Sequence, residues 1–187
     1  MSIDFNKALE EVHADKNRFY LLLSGDKDFK PYESYAVCVN NAISAMTGEE
    51  YAFMMVDKIL ANRFKDNVTI RIVTGDNAGI DKIAKDYAER RSMDSFEFWT
   101  DWDSHGNKAG FIRNQEMFYH IARRPNKACI LFWNGDNIYT KNLIYLAYHY
   151  QIAIRVFNYV TKKWLSQNEI ESIGTTEERN QIRYFSG

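Results

Sequence analysis

The most constraining feature of this chain is a series of short, largely apolar runs, most of them closed by a turn and followed by sequence of helical period. Residues 19–23 end in Ser24-Gly25, residues 68–73 in Thr74-Gly75, and residues 128–133 in Asn134-Gly135. Residues 96–99 and 152–157 are of the same kind. A strand with one face in water alternates apolar and polar residues, whereas a strand buried on both faces does not. Residues 80–91, 111–122 and 137–150 read as helices, and Ile83, Ala84, Tyr87 and Ala88 give the first a single apolar stripe. Strands alternating with helices predict an α/β fold with a mainly parallel sheet of about five strands, covered on both faces.

The remaining segments are read in the same way. Residues 2–14 carry Ile3, Phe5, Leu9 and Val12 at helical spacing and are expected to form an amphipathic helix. Residues 34–45 and 49–64 are expected as two more helices, with Thr47-Gly48 between them. Two capping boxes in the tail, Ser166-x-x-Glu169 and Thr175-x-x-Glu178, predict short terminal helices. The 187 residues suit one domain: a core over 18–158, a helical extension over 1–17 and a helical appendage over 159–187.

Charge and composition exclude several function classes. With 24 basic against 25 acidic residues the net charge is −1, so no wholesale basic footprint for nucleic acid exists. The run at 128–133 is far shorter than the ~20 residues a membrane helix needs. Asp4, Glu10 and Glu11 replace any apolar signal core, and two cysteines make no disulfide framework. A cytoplasmic protein without a membrane partner is expected. The four histidines are scattered and no metal site is expected.

In a doubly wound sheet, ligands bind outside the carboxyl ends of the strands. Gly75 and Gly79 flank a strand-to-helix turn whose new helix offers an anion its free N–H groups. Asp81 would cap that helix or hold a ribose hydroxyl. Lys108 lies between Gly106 and Gly110, and Arg113 falls in the first helical turn, where it could add a bidentate cation. Asn114 adds neutral donors. Trp102 would stack on a base or cover the sheet end. Met117 is expected in the core. Thr140 would cap backbone or bond a phosphate.

Together these loops resemble the YspA-like branch of the SLOG superfamily, Rossmann-like proteins grouped with the LOG and DprA families. The specific part is D-W-x-x-x-G-x-x-A-G-x-x-R-N-x-x-M, met by Asp101, Trp102, Gly106, Ala109, Gly110, Arg113, Asn114 and Met117. Gly75, Gly79 and Asp81 match a G-G-A-x-G-A-D turn, and Gly25 and Asp28 match G-S-R-D. The resemblance spans about residues 19–158. It implies a single Rossmann-like three-layer domain with a nucleotide pocket at the strand ends. The chain departs from the pattern at Lys27, Asp76 and Ala78. Leu143 stands where LOG hydrolases carry a glutamate.

The resemblance implies binding of a nucleotide-derived small molecule (a nucleotide, an ADP-ribose-like molecule or a cyclic nucleotide signal), for sensing or sequestration. The expected ligand-binding residues are Gly25, Lys27, Asp28, Gly75, Asp76, Asn77, Gly79, Asp81, Trp102, Lys108, Gly110, Arg113, Asn114, Gly135, Tyr139 and Thr140. The alternative is a nucleotide N-glycosidase or phosphoribohydrolase, with Asp76, Asp81 and Asp101 as catalytic candidates. A DprA-like nucleic-acid module ranks third. No cofactor is required; Mg²⁺ enters only beside a diphosphate ligand. The aromatic segment 143–150, with Tyr145, Tyr148 and Tyr150, would serve a homodimer or lie beneath the appendage.

Overall fold

The computed structural model describes residues 17–39, 42–66 and 68–185, so the helix expected over 2–14 lies outside the described residues. In chain order the first elements are β1 (Arg18–Gly25), β2 (Ser34–Val39), β3 (Ala42–Thr47), α1 (Gly48–Lys65), β4 (Thr69–Gly75) and α2 (Ile80–Arg90). Then come β5 (Asp94–Phe98), α3 (Trp102–His105), a 3₁₀ turn (Gly106–Lys108), α4 (Ala109–Ala122) and β6 (Lys127–Trp133). The chain ends with α5 (Ile138–His149), β7 (Ile154–Asn158), β8 (Lys163–Trp164) and α6 (Gln167–Phe185).

The five runs become strands of one six-stranded sheet in the order β5-β4-β1-β6-β7-β8. The first five strands are parallel and β8 joins antiparallel. This is the expected Rossmann-like, three-layer α/β fold. β1 shows why its sequence is unbroken. Phe19, Leu21 and Leu23 face a core made with Val56 and Leu60 of α1 and Ile80 and Ile83 of α2. Tyr20 and Leu22 face the opposite core, with Met117 and Phe118 of α4, Leu143 and Ile144 of α5, and Ile170 of α6. Each such side chain, fully buried, contributes roughly 1.5–3 kcal/mol.

Residues 34–45 are not the expected helix. They lie in a hairpin whose register runs from Ser34 opposite Thr47 to Val39 opposite Ala42. The two residues between its strands, 40–41, fall outside the described residues. The hairpin is anchored by Tyr35, whose ring stacks on Phe29 and on Tyr51, each at 5.7 Å. α1 then starts on a capping box that the sequence reading did not single out: Thr47 accepts from the Glu50 amide, and Glu50 accepts from the Thr47 amide.

The tail is one continuous helix rather than short ones. Its Ser166–Glu169 box is formed, but the Thr175 hydroxyl donates to the Glu171 carbonyl within α6 and starts no new helix. α6 packs on α5. Gly174 lies against the Tyr148 ring, and Lys141 pairs with Glu177 at 2.7 Å. Tyr145 is buried. The aromatic helix therefore lies beneath the appendage at Tyr148. Among the described residues no helix is long and apolar enough to cross a membrane.

Candidate functional site

From β1 the chain proceeds first to β4 and β5 on one side, then crosses to β6 and β7 on the other. The loops leaving β1 and β6 therefore part, and a crevice opens between their carboxyl ends. A cavity of about 270 Å³ occupies it, lined by Gly25, Lys27, Asn77, Trp102, Gly110, Arg113, Asn137, Tyr139, Thr140 and Leu143. A wider, shallower hollow of about 510 Å³ lies at the opposite ends of β4 and β5, around Thr69, Ile70 and Met93. The crevice is the candidate site because the loops bring dispersed polar groups together there.

Its floor is built on Arg113, which is only 3% exposed. One guanidinium nitrogen donates to Asp76 and to Asp81, each at 3.2 Å. The other donates to Asn114 Oδ1 at 3.0 Å. The Asn77 amide, with its oxygen turned toward Arg113, accepts at 2.7 Å. Gly75 passes beneath the guanidinium, and a Cβ there would overlap it. Asn114 continues the network by donating to the Tyr139 carbonyl at 3.0 Å and to Asn142 Oδ1 at 3.1 Å.

The two carboxylates differ in surroundings. Asp81 is fully buried and also accepts from Ser24 Oγ at 2.5 Å and from the Asn77 amide at 3.2 Å. Burial pushes its carboxyl up, while Arg113, Ser24 and the Asn77 amide pull against that rise. Asp76 is partly open and accepts from the Thr100 amide at 2.9 Å and hydroxyl at 2.6 Å. Its burial also raises it, but the Thr100 bonds and Arg113 outweigh that and hold it below the usual carboxylate value. The structure places Arg113 and Asp81 in pairs within the protein. Arg113 is already paired with two carboxylates rather than standing as a free cation. Asp81 neither caps α2, whose N-cap is Gly79 without a side-chain bond, nor presents any surface to a ribose. Desolvation is the reason: a buried charge must be paired.

A second cluster, centred on Asp26, was not anticipated as a site. Its carboxylate accepts from the Asn134 amide at 2.7 Å, from Tyr159 Oη at 3.0 Å, and from the Thr140 hydroxyl. Burial raises this carboxyl, and the Thr140, Asn134 and Tyr159 bonds oppose the rise. Its backbone carbonyl accepts from the Ile80 amide at 3.3 Å. Gly79 makes that approach possible: its φ is +68°, and a Cβ would overlap the Asp26 carbonyl. Thus Asp26 ties the end of β1 to α2, to the start of α5 and to the loop after β7. The only signal in the sequence is an acidic residue directly after the strand-ending Ser24-Gly25.

The entrance of α5 is satisfied from within. Asn137 Oδ1 accepts from the Tyr139 and Thr140 amides, both at 3.0 Å. Asn134 Oδ1 accepts from the Asp136 and Asn137 amides, both at 2.8 Å. At the mouth, Trp102 is 45% exposed and stands edge-on to Tyr139 at 6.4 Å. The Tyr139 ring rests on Gly110, where a Cβ would overlap it. Lys27 is exposed at the rim.

Other expected residues lie outside the cavity lining. Asp28, Lys108 and Gly135 are exposed. Asp101 is exposed and caps α3 by accepting from the Ser104 amide at 2.9 Å. Met117 is buried in the core, as expected. Among the described residues no group of three or more His, Cys, Asp or Glu is placed to hold a metal ion. No family model, no curated protein and no solved structure matches the chain.

Proposed function

We propose that this chain binds a small nucleotide-derived molecule at the carboxyl ends of its strands, for sensing or sequestration. The observation that carries the reading is the composition of the crevice. Trp102 and Tyr139 wall it, and none of its ten lining residues is Asp or Glu. An aromatic wall above a hydrogen-bonding floor suits a base, which offers a π-face and a polar edge. The likeness of the lining loops to SLOG sequences at Gly25, Trp102, Gly110 and Arg113 supports the same reading.

The composition also weighs against LOG-like hydrolysis. Cleaving an N-glycosidic bond develops positive charge at the anomeric carbon and calls for a carboxylate nearby. Asp76 and Asp81 commit their oxygens to Arg113, Thr100 and Ser24, and Leu143 lines the cavity where LOG relatives carry glutamate. No cofactor is needed for binding.

The test is a thermal-shift panel of nucleosides, nucleotides and ADP-ribose, with the products followed by chromatography. A ligand at a hundred times its Kd stabilises by about 2.7 kcal/mol. For a chain of this size that raises Tm by roughly 5–10 °C. The expected result is such a shift for one ligand, recovered intact. Release of a free base would make the protein a hydrolase, and no shift with any member would overturn the reading.

A further inference from the structure

We infer that the crevice grips the uncharged nucleoside part of its ligand and has no phosphate grip of its own. The inference rests on the reading just proposed and names the chemical class that the site recognises.

At the entrance of α5 and in the floor of the cavity, the groups that would hold a phosphate are engaged from within. A helix start binds anions through N–H groups that lack partners. At α5 the Tyr139 and Thr140 amides already donate to Asn137, and the Asp136 and Asn137 amides to Asn134. The Thr140 hydroxyl donates to Asp26. Arg113, the one cation in the floor of the cavity, faces both Asp76 and Asp81 at 3.2 Å. Its positive charge is therefore already balanced by carboxylates. A phosphate monoester, which carries roughly −1.5 to −2 charges near neutral pH, meets no uncommitted cation in that floor. Lys27 sits at the exposed rim, where water screens its pull.

What the cavity does offer suits a neutral partner. Trp102 and Tyr139 give aromatic faces. The volume of about 270 Å³ lies at the small end of ligand sites, where pockets for drug-sized molecules begin near ~300 Å³. One nucleoside matches that scale and a dinucleotide does not.

Calorimetric titration of the full chain tests this with adenosine, guanosine, cytidine and uridine, each against its 5′-monophosphate and against ADP-ribose, at low and high salt. The expected result is one nucleoside that binds at least as tightly as its monophosphate, its affinity changing less than about twofold with salt. A monophosphate or ADP-ribose that binds about tenfold more tightly than the nucleoside, and weakens with salt, overturns the inference and leaves the nucleotide-binding reading standing. Binding by none of them overturns both. In the Asp76→Asn variant, with folding checked by its melting curve, the guanidinium loses one of its two balancing charges. Affinity for the monophosphate should then rise about threefold or more relative to the nucleoside. An unchanged ratio counts against the inference.

Discussion

Arg113, Asp76 and Asp81 form a charged cluster in which only Asp76 keeps appreciable contact with water. Removing one partner from such a cluster strands the others. Arg113→Met keeps most of the side-chain volume but leaves Asp81 buried and unpaired, and should cost about 3–5 kcal/mol in urea unfolding. Arg113→Lys, a point charge instead of a planar fork, should recover part of that loss. The acidic groups also give a pH signature. Asp76 lies below its ordinary value of 3.8 in the folded protein, so its stabilisation is full above that pH and fades as pH falls through the lowered value. Asp26 and Asp81 act in the opposite sense. Their raised carboxyls favour folding most below 3.8, and that contribution is lost as pH rises through their folded values. The stability difference between wild type and Asp76→Asn, followed by urea titration at a series of pH values, should therefore shrink below pH 3.8. A difference that grows there would contradict the arrangement.

Among the elements, the parallel strands and the helices between them follow from local pattern, whereas the hairpin β2–β3 does not. Its residues carry apolar positions that suit either period, and no charge lies between Ser34 and Glu49 to mark a solvent face. What favours the strand form is tertiary: Tyr35 reaches a stack with Phe29 and Tyr51. The appendage has a similar dependence. α6 approaches α5 closely because Gly174 has no side chain to meet the Tyr148 ring. Gly174→Val should force the helices apart and lower Tm, since a branched side chain against a packed ring costs roughly 1–3 kcal/mol. Limited proteolysis should then cut first within 167–185, the span of α6. A variant as resistant as wild type would show that the contact carries no weight.

Across the whole molecule, the site is a product of strand order. The crevice exists because β1 sits between β4 and β6, so that loops from distant parts of the chain meet over one end of the sheet. Trp102 belongs to the mouth of that crevice and to neither core. Trp102→Ala should leave the melting temperature of the unliganded protein nearly unchanged, because exposed substitutions alter stability by about 0.5 kcal/mol or less. It should abolish most of the ligand-induced shift, since an aromatic face against a base contributes about 1–3 kcal/mol. Equal ligand-induced shifts in the two proteins would remove Trp102 from the site.

Periodicity is a local property, and it carried the α/β class, the parallel strands, both helical layers and the place where the loops converge. Pairing is not local. Arg113 stands 37 positions from Asp76 and 32 from Asp81, and Asp26 stands 114 from Thr140. In one dimension an aspartate beside a glycine turn reads equally as a ribose ligand, a general base or a cap. Only the packing of β1, β4, α4 and α5 removes Asp26 and Asp81 from water, and that removal is what obliges them to bind Arg113, Ser24 and Thr140.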